Sequence, residues 1–577
     1  MWCKVCQNET ENKVCNVCGT LTVSDVPMEI YYCSNCKIPI IRFTSELKKR
    51  EKCSCCGKVL KRMASDVRPV FPMERMLAGI LLENNPFVYQ DKSVWADGSR
   101  YYIDGKSKLL KIENLRAFNV DNVRDILEES KTDIRYEKIE YAFKDEVQRF
   151  IEVNSERYAY IDNEAQAFIR DVASKYEHEQ IVLSFSGGKD STVTADLVVR
   201  ALSDSSLVHI FGDTTLEFPM TMEYSRRFRE NHPKAIFKIA KNKEQNFYDM
   251  CSDIGPPARM MRWCCTMFKT GPITRVLNKT FRNQHVLTFY GIRKYESASR
   301  SKYDRVAENN ASVKIQKQTV ASPVFLWKDI DIWLYIFTRK IDFNDAYRLG
   351  YDRVGCWCCP NNTIRAQFLS SIYMPEQSKK WRDFLIDFAK KIGKPDAEEY
   401  VDSGNWKSRQ GGNGLKAAND VKLKFNNCTA EDNAKIYSIN KPFSDELLNL
   451  FIPFGKISKK LGRKLIHEVL VLEPRTNVPI MSIQPFDKDD YAYGVKIRTM
   501  NVDNHEDLQR MAGYQIRKYN ACRRCLKCES LCRHGAILIK NDEYIINPDK
   551  CKHCHICVTA KYLDGGCLMD KFLRTLK

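Results

Sequence analysis

No stretch of about 18 consecutive apolar residues occurs in the chain, so no membrane-spanning helix is expected. The opening Met1-Trp2-Cys3-Lys4-Val5-Cys6 lacks the apolar run of a signal peptide. Both absences point to the cytoplasm, where disulfides are rare. No long repeat is visible apart from clusters of cysteine. The Walker phosphate loop, with its two spaced glycines before Lys-Ser/Thr, is also missing.

What the chain does have is cysteine, 24 in 577 residues, gathered at both ends and at two points in the middle. In a reducing compartment such clusters point to metal. A hydrophobic share of 44% suffices for packed cores. The length implies about three to five domains. The net charge of +19 favours nucleic acid or small anionic substrates, and it equally fits a solubility charge partly offset by metal-bound thiolates.

Residues 1–65 are Cys-rich with little periodicity. Residues 66–140 contain alternating runs such as Tyr101-Tyr102-Ile103-Asp104-Gly105 and predict a small β-containing domain of unassigned role. Residues 141–400 open with helical patterns from Tyr141 and Ile161. Strands are then expected at Ile181–Phe185, Leu207–Phe211, Ala235–Ile239 and Val286–Tyr290, with a helix over Thr192–Ala201. That alternation predicts an α/β fold with a doubly wound parallel sheet. Residues 403–419 read as a loop or linker, 420–515 as α+β of unassigned role, and 516–577 as Cys-rich again.

Ser186-Gly187-Gly188-Lys189-Asp190-Ser191 lies between a predicted strand and a predicted helix. The glycines allow close backbone approach and positive φ, so that backbone N–H groups and the helix N-terminus face an anion. Lys189 adds a point charge and Ser191 a hydroxyl. Asp190 is placed to orient a metal ion such as Mg, or the loop itself.

This loop resembles the PP-loop of the ATP-pyrophosphatase and phosphoadenosine phosphosulfate (PAPS) reductase superfamily. Four further segments resemble that reductase family, in the family's order, across roughly residues 150–390. They are Asp213-Thr214-Thr215-Leu216-Glu217-Phe218-Pro219, with Thr215 where Gly is usual; Arg262-Trp263-Cys264-Cys265 with Lys269 and Pro272; Gly291-Ile292-Arg293 with Glu296, Ser297 and Arg300; and Pro323 with Trp327 and Asp331-Ile332-Trp333. The resemblance implies an adenine nucleotide α-hydrolase-like fold. It makes Asp213 and Glu217 expected nucleotide-site residues, and Arg293 and Arg300 expected oxyanion clamps, a role guanidinium forks fill well.

Cys264-Cys265 and the later Cys356-Trp357-Cys358-Cys359 resemble the 4Fe–4S set of adenylylsulfate (APS) reductases. The ligands implied are Cys264, Cys265, Cys356 and Cys359, with Cys358 spare; zinc is the alternative. Lys269, near the pair, is placed to raise a cluster's potential or to hold substrate. At the N-terminus, Cys3, Cys6, Cys15 and Cys18, then Cys33, Cys36, Cys53 and Cys56, form paired C-x2-C knuckles and predict two zinc ribbons. The tail resembles a ferredoxin module with two 4Fe–4S clusters, in which the fourth Cys of each run serves the other cluster. That implies Cys522, Cys525, Cys528 and Cys567 for one, and Cys551, Cys554, Cys557 and Cys532 for the other. The late Cys567 and the missing Pro after Cys532 depart from the pattern, and zinc is the alternative. Cys55, Cys251, Cys358 and Cys428 remain plain thiols.

The combination is expected to be an iron–sulfur enzyme that reduces APS or PAPS to sulfite, drawing on a low-potential electron donor. The family's C-terminal Glu-Cys-Gly-x-His segment is absent, so another thiol or the cluster must replace its nucleophile. The intact loop opens a second reading: ATP cleavage coupled to sulfur transfer onto nucleic acid, as in DNA phosphorothioation or tRNA thiolation. The basic run from Lys456 to Lys464 suits it, and also suits a solvated helix face. A scaffold or sensor that only binds nucleotide is a third reading.

Overall fold

The computed structural model describes residues 2–3, 8–9, 17, 28–43, 52–282, 284–308, 317–486, 493–563 and 565–575. Of the first expected ribbon, Cys6, Cys15 and Cys18 lie outside these residues, and for Cys3 only the backbone of a short strand is described. Among the described residues no helix is long and apolar enough to cross a membrane.

The second ribbon is a three-stranded antiparallel sheet of β1 (Met28–Cys33), β2 (Ile38–Phe43) and β3 (Lys61–Ala64). The unit over 66–140 has four short strands, β4 (Arg68–Pro69), β5 (Val94–Asp97), β6 (Arg100–Ile103) and β7 (Lys106–Leu109). It also carries α1 (Pro72–Glu83) and α2 (Val120–Lys131), so it is as helical as it is stranded. Two long helices, α3 (Ile134–Val153) and α4 (Ser155–Ala173), lead into the central body.

That body is a six-stranded sheet in the order β10-β9-β8-β11-β13-β12. Its strands are β8 (Ile181–Phe185), β9 (Val208–Asp213), β10 (Ile236–Lys241), β11 (Val286–Phe289), β12 (Val306–Glu308) and β13 (Gln318–Ala321). Five strands are parallel, and only β12 runs antiparallel at the edge. Helices α5 (Lys189–Leu202), α6 (Pro219–Asn231), α7 (Phe247–Ile254), α8 (Gly271–Thr280) and α9 (Asp329–Arg339) flank it. The apolar runs Ile181-Val182-Leu183 and Val286-Leu287 suit strands covered on both faces. Strand order reverses between β8 and β11, and ligands of such sheets bind outside the strand C-termini at that switch point.

Two sequence expectations fail here. The segment 403–419 is not a linker: it forms two short 3-10 turns, and Trp406, Leu415 and Ala417 join a hydrophobic core. The run Lys456–Lys464 is not a helix face. It starts on the edge strand Lys456–Ser458 and continues as a loop in which Arg463 pairs with Glu468 at 2.9 Å. That strand belongs to a six-stranded antiparallel sheet covering residues 425–499. Helix α12 (His505–Ala521) packs on this sheet, leads to α13 (Lys527–Leu531), and is followed by the hairpin β14 (Ile537–Lys540) and β15 (Glu543–Ile546).

Candidate functional site

The loop 186–191 leaves β8 at the switch point. Gly187 has φ +70°, and Gly188 caps α5 in extended conformation; both glycines and Lys189 are buried, and Ser186 at the start of the turn is exposed. The Ser191 hydroxyl closes the loop, donating to the Gly188 carbonyl at 2.8 Å and accepting from the Ser186 N–H at 3.2 Å. Asn344 holds the Gly187 carbonyl at 3.0 Å, and the Tyr347 hydroxyl accepts from the Lys189 N–H at 3.1 Å.

Two cations and two carboxylates interlock above this turn. Lys189 Nζ lies 3.1 Å from Asp329 and 3.6 Å from Asp190. Arg293, arriving after β11, pairs with Asp190 at 2.5 Å and with Asp329 at 2.7 Å. Burial favours neutral Lys189, but Asp190 and Asp329 outweigh it and raise the ammonium's pKa. Burial likewise pushes the Asp190 carboxyl up, and Arg293 and Lys189 overcome it and hold it below the usual range. Arg300 stands beside Asp190, Arg293 and Arg353, and Glu296 anchors it. Asp213 binds Lys241 at 2.9 Å and pins the Thr215 N–H, which holds Thr215 at φ +65° in the place usual for Gly. The Glu217 carboxylate accepts from the Thr214 hydroxyl at 2.7 Å and from its N–H, while its backbone pairs with that of Cys356.

The core cysteines lie near the end of β9, and among the described residues they do not converge as the ribbon thiols do. The Thr214 hydroxyl lies 3.6 Å from Cys356 Sγ, and the Trp357 N–H donates to the Leu216 carbonyl, which ties the Cys356 segment to the end of β9. Cys264 faces Cys265, Cys356 and Cys358, while Cys359 faces Cys265, Arg262 and Arg353. Arg353 is therefore common to Cys359 and to Arg300 of the nucleotide site. Lys269 stands near Cys356, whose thiol burial pushes up to about 12. Cys358 is fully packed beside Cys251 and the core thiols.

In the ribbon, the Sγ atoms of Cys33, Cys36, Cys53 and Cys56 all lie within 4.8 Å of one another, with Cys33–Cys56 at 3.5 Å and Cys36–Cys53 at 3.8 Å. Four sulfurs around one zinc at about 2.3 Å stand about 3.8 Å apart, so the donor set fits a tetrahedral ion. Among the described residues no other set converges so tightly. The tail thiols form two looser quartets. Cys525 and Cys567 share Cys522 and Cys528 as neighbours, whereas Cys551 and Cys557 face Cys532, with Cys554 beside Cys551. Cys567 is buried. A small cavity is walled by Cys532, Cys551, Cys554 and Cys557. Lys518, 1% exposed, lies between the quartets and donates to the Cys557 carbonyl at 2.5 Å.

The tail docks on the central body. Arg275 of α8 pairs with Glu529 of α13 at 2.7 Å, and Cys525 and Cys567 share one hydrophobic cluster with Trp263, Met267 and Cys358.

Residues 180–362 match the phosphoadenosine phosphosulfate reductase domain. An uncharacterized protein of Methanocaldococcus jannaschii is 32% identical over 303 residues, 52% of this chain and 58% of the relative. An adenosine 5'-phosphosulfate reductase of Halalkalibacterium halodurans is 26% identical over 195 residues, 32% of this chain and 77% of that protein. The crystal structure of phosphoadenylyl-sulfate reductase from Candida auris, a phosphate complex, aligns with 35% of this chain and 96% of its own at 16% identity and a TM-score of 0.28. The central domain is thus similar to the PAPS reductase domain and, at lower identity, to APS reductases. The chain spans 58% of the length of its Methanocaldococcus relative.

Sequence reasoning missed Asp329, Tyr347, Asn344 and Asp352, whose carbonyl faces Lys189 Nζ at 3.5 Å. Asp329 stands two residues before the motif residue Asp331, which instead pairs with Arg157 at 2.9 Å.

Proposed function

We propose that the chain binds an activated sulfate nucleotide, APS or PAPS, on the loop 186–191 and reduces it to sulfite with electrons relayed through its own cysteine-rich tail. The observation that carries this reading is the shared neighbourhood of three features: the loop, the core thiols beside Thr214 and Arg353, and the buried tail thiols Cys525 and Cys567. In the reaction the bond between sulfur and the nucleotide's phosphate oxygen breaks, sulfur gains two electrons, and the nucleotide keeps the bridging oxygen. The loop amides and Lys189 would hold phosphate; Arg293 and Arg300 would hold the sulfuryl oxygens. Substrate charge would replace that of Asp190 and Asp329 as partner to these cations. The core quartet and the two tail quartets would hold 4Fe–4S clusters, which supply one-electron steps when bound. The ribbon would hold zinc. Cys358, buried and with its thiol pKa raised by burial, is a poor nucleophile, which leaves a cluster to meet sulfur.

A second reading, sulfur transfer to nucleic acid with ATP cleavage, is favoured by one feature. The exposed cations Arg259, Arg262, Lys269 and Arg353 border the core thiols and offer a track for a polyanion. Anaerobically reconstituted protein, supplied with a low-potential donor and APS or PAPS, is expected to release sulfite. Pyrophosphate release from ATP on addition of RNA or DNA, with no sulfite from either nucleotide, would replace the first reading by the second.

A further inference from the structure

We propose that Asp66, outside the matched domain, is a positioning residue of the nucleotide site: it fixes the first turn of α9 and thereby Asp329, the carboxylate that Lys189 and Arg293 share. The inference rests on the nucleotide-binding reading of the loop.

Asp66 lies just after β3, where the ribbon runs into the body of the protein. Its Oδ2 accepts the Asp329 N–H at 2.8 Å, and its Oδ1 accepts the Ile330 N–H at 3.2 Å and the Val67 N–H at 2.9 Å. The first amides of a helix have no partner within the helix, and a carboxylate there does the work of an N-cap. The residue in the cap position, Lys328, has no acceptor to give. Its ammonium turns back to the carbonyls of Met28 and Ser65 at 2.6 and 2.5 Å. Apolar packing completes the junction: Ile330 and Leu334 sit in one cluster with Met28, Ile30, Ala64 and Val67. The start of α9 is thus held by the ribbon and the segment that follows it. Asp329, the first residue of that turn, is 3.1 Å from Lys189 Nζ and 2.7 Å from Arg293 Nη2. Moving the turn moves the group that aims both cations, and small misplacements of such groups are costly to binding.

The test is equilibrium binding of ATP and of APS to the full chain, in the wild type and in Asp66→Asn and Asp66→Ala. Asn keeps one of the two acceptor oxygens, so Asp66→Asn is expected to bind more weakly than wild type but more tightly than Asp66→Ala. Asp66→Ala is expected to bind roughly five- to thirtyfold more weakly, the range set by loss of a cap. Zinc content, read on the same samples, is expected to be unchanged in both. Wild-type affinity in Asp66→Ala, or equal losses in both variants, would refute the positioning role while leaving the nucleotide reading intact. A wild-type chain that binds neither ATP nor APS would overturn that reading and the inference with it.

Discussion

A β-carbon added to Gly291 would stand 2.5 Å from the Asp190 carbonyl carbon and 2.7 Å from the Ser191 amide nitrogen. The segment after β11 therefore presses directly on the loop, and that contact delivers Arg293 to Asp190. Gly291→Ala should displace the loop. A loss of at least about tenfold in nucleotide affinity is expected, alongside an overpacking cost of about 1–3 kcal/mol in denaturant unfolding. Lys189→Met should remove binding and also leave Asp329 and Asp190 short of a partner.

Asp66 gives a pH dependence. Burial, then the charge of Asp329, pushes its carboxyl up to about 7, against the pull of Arg293. Lys328 and Asp329 on α9 and Arg293 are the charges it faces. An incoming phosphate adds negative charge nearby and favours the protonated acid. Affinity for the nucleotide should therefore fall as pH rises from about 6 to 8, and Asp66→Asn should flatten that fall. Stability runs the same way. The folded-state pKa lies above the unfolded value, so this group's contribution is complete below about pH 4 and lost as pH rises through about 7. Lys189 and Arg293 were legible in the sequence because a contiguous motif carries each of them. Asp66, Asp329 and Tyr347 were not, because only tertiary packing brings them to the loop.

Among the elements, strands β8 to β11 appear where apolar runs and Gly-rich turns place them. Their boundaries shift by a residue or two, as β9 does in running on to Asp213. The segment 403–419 misled because its glycines and polar residues mark turns without revealing that Trp406 is buried. The docking of α13 on α8 had no sequence signal: Arg275 and Glu529 are far apart in the chain and meet only through the fold. Arg275→Ala should cost about 1–2 kcal/mol, as a partly buried charge-assisted pair. It should also slow oxidation of the tail centres by the nucleotide substrate while iron content stays constant. Unchanged transfer rates in stopped-flow absorbance would speak against this docking surface as the electron route.

At the scale of the whole molecule, the described ribbon packs against the start of α9, and the tail packs against the core cysteine segments. Metal analysis of anaerobically purified protein is expected to give about twelve iron and two zinc per chain, one zinc being assigned to the N-terminal knuckles outside the described residues. Cys567→Ser should remove about four iron and leave the zinc in place.

The most direct measurement is a single turnover without external reductant. The chain is reduced, freed of excess reductant and mixed with APS or PAPS, and bleaching of its iron–sulfur absorbance and sulfite release are followed together. One sulfite for each pair of electrons leaving the protein is the predicted result. Reduced centres that stay reduced while nucleotide is bound, with no sulfite formed, would contradict the proposed route from tail to loop.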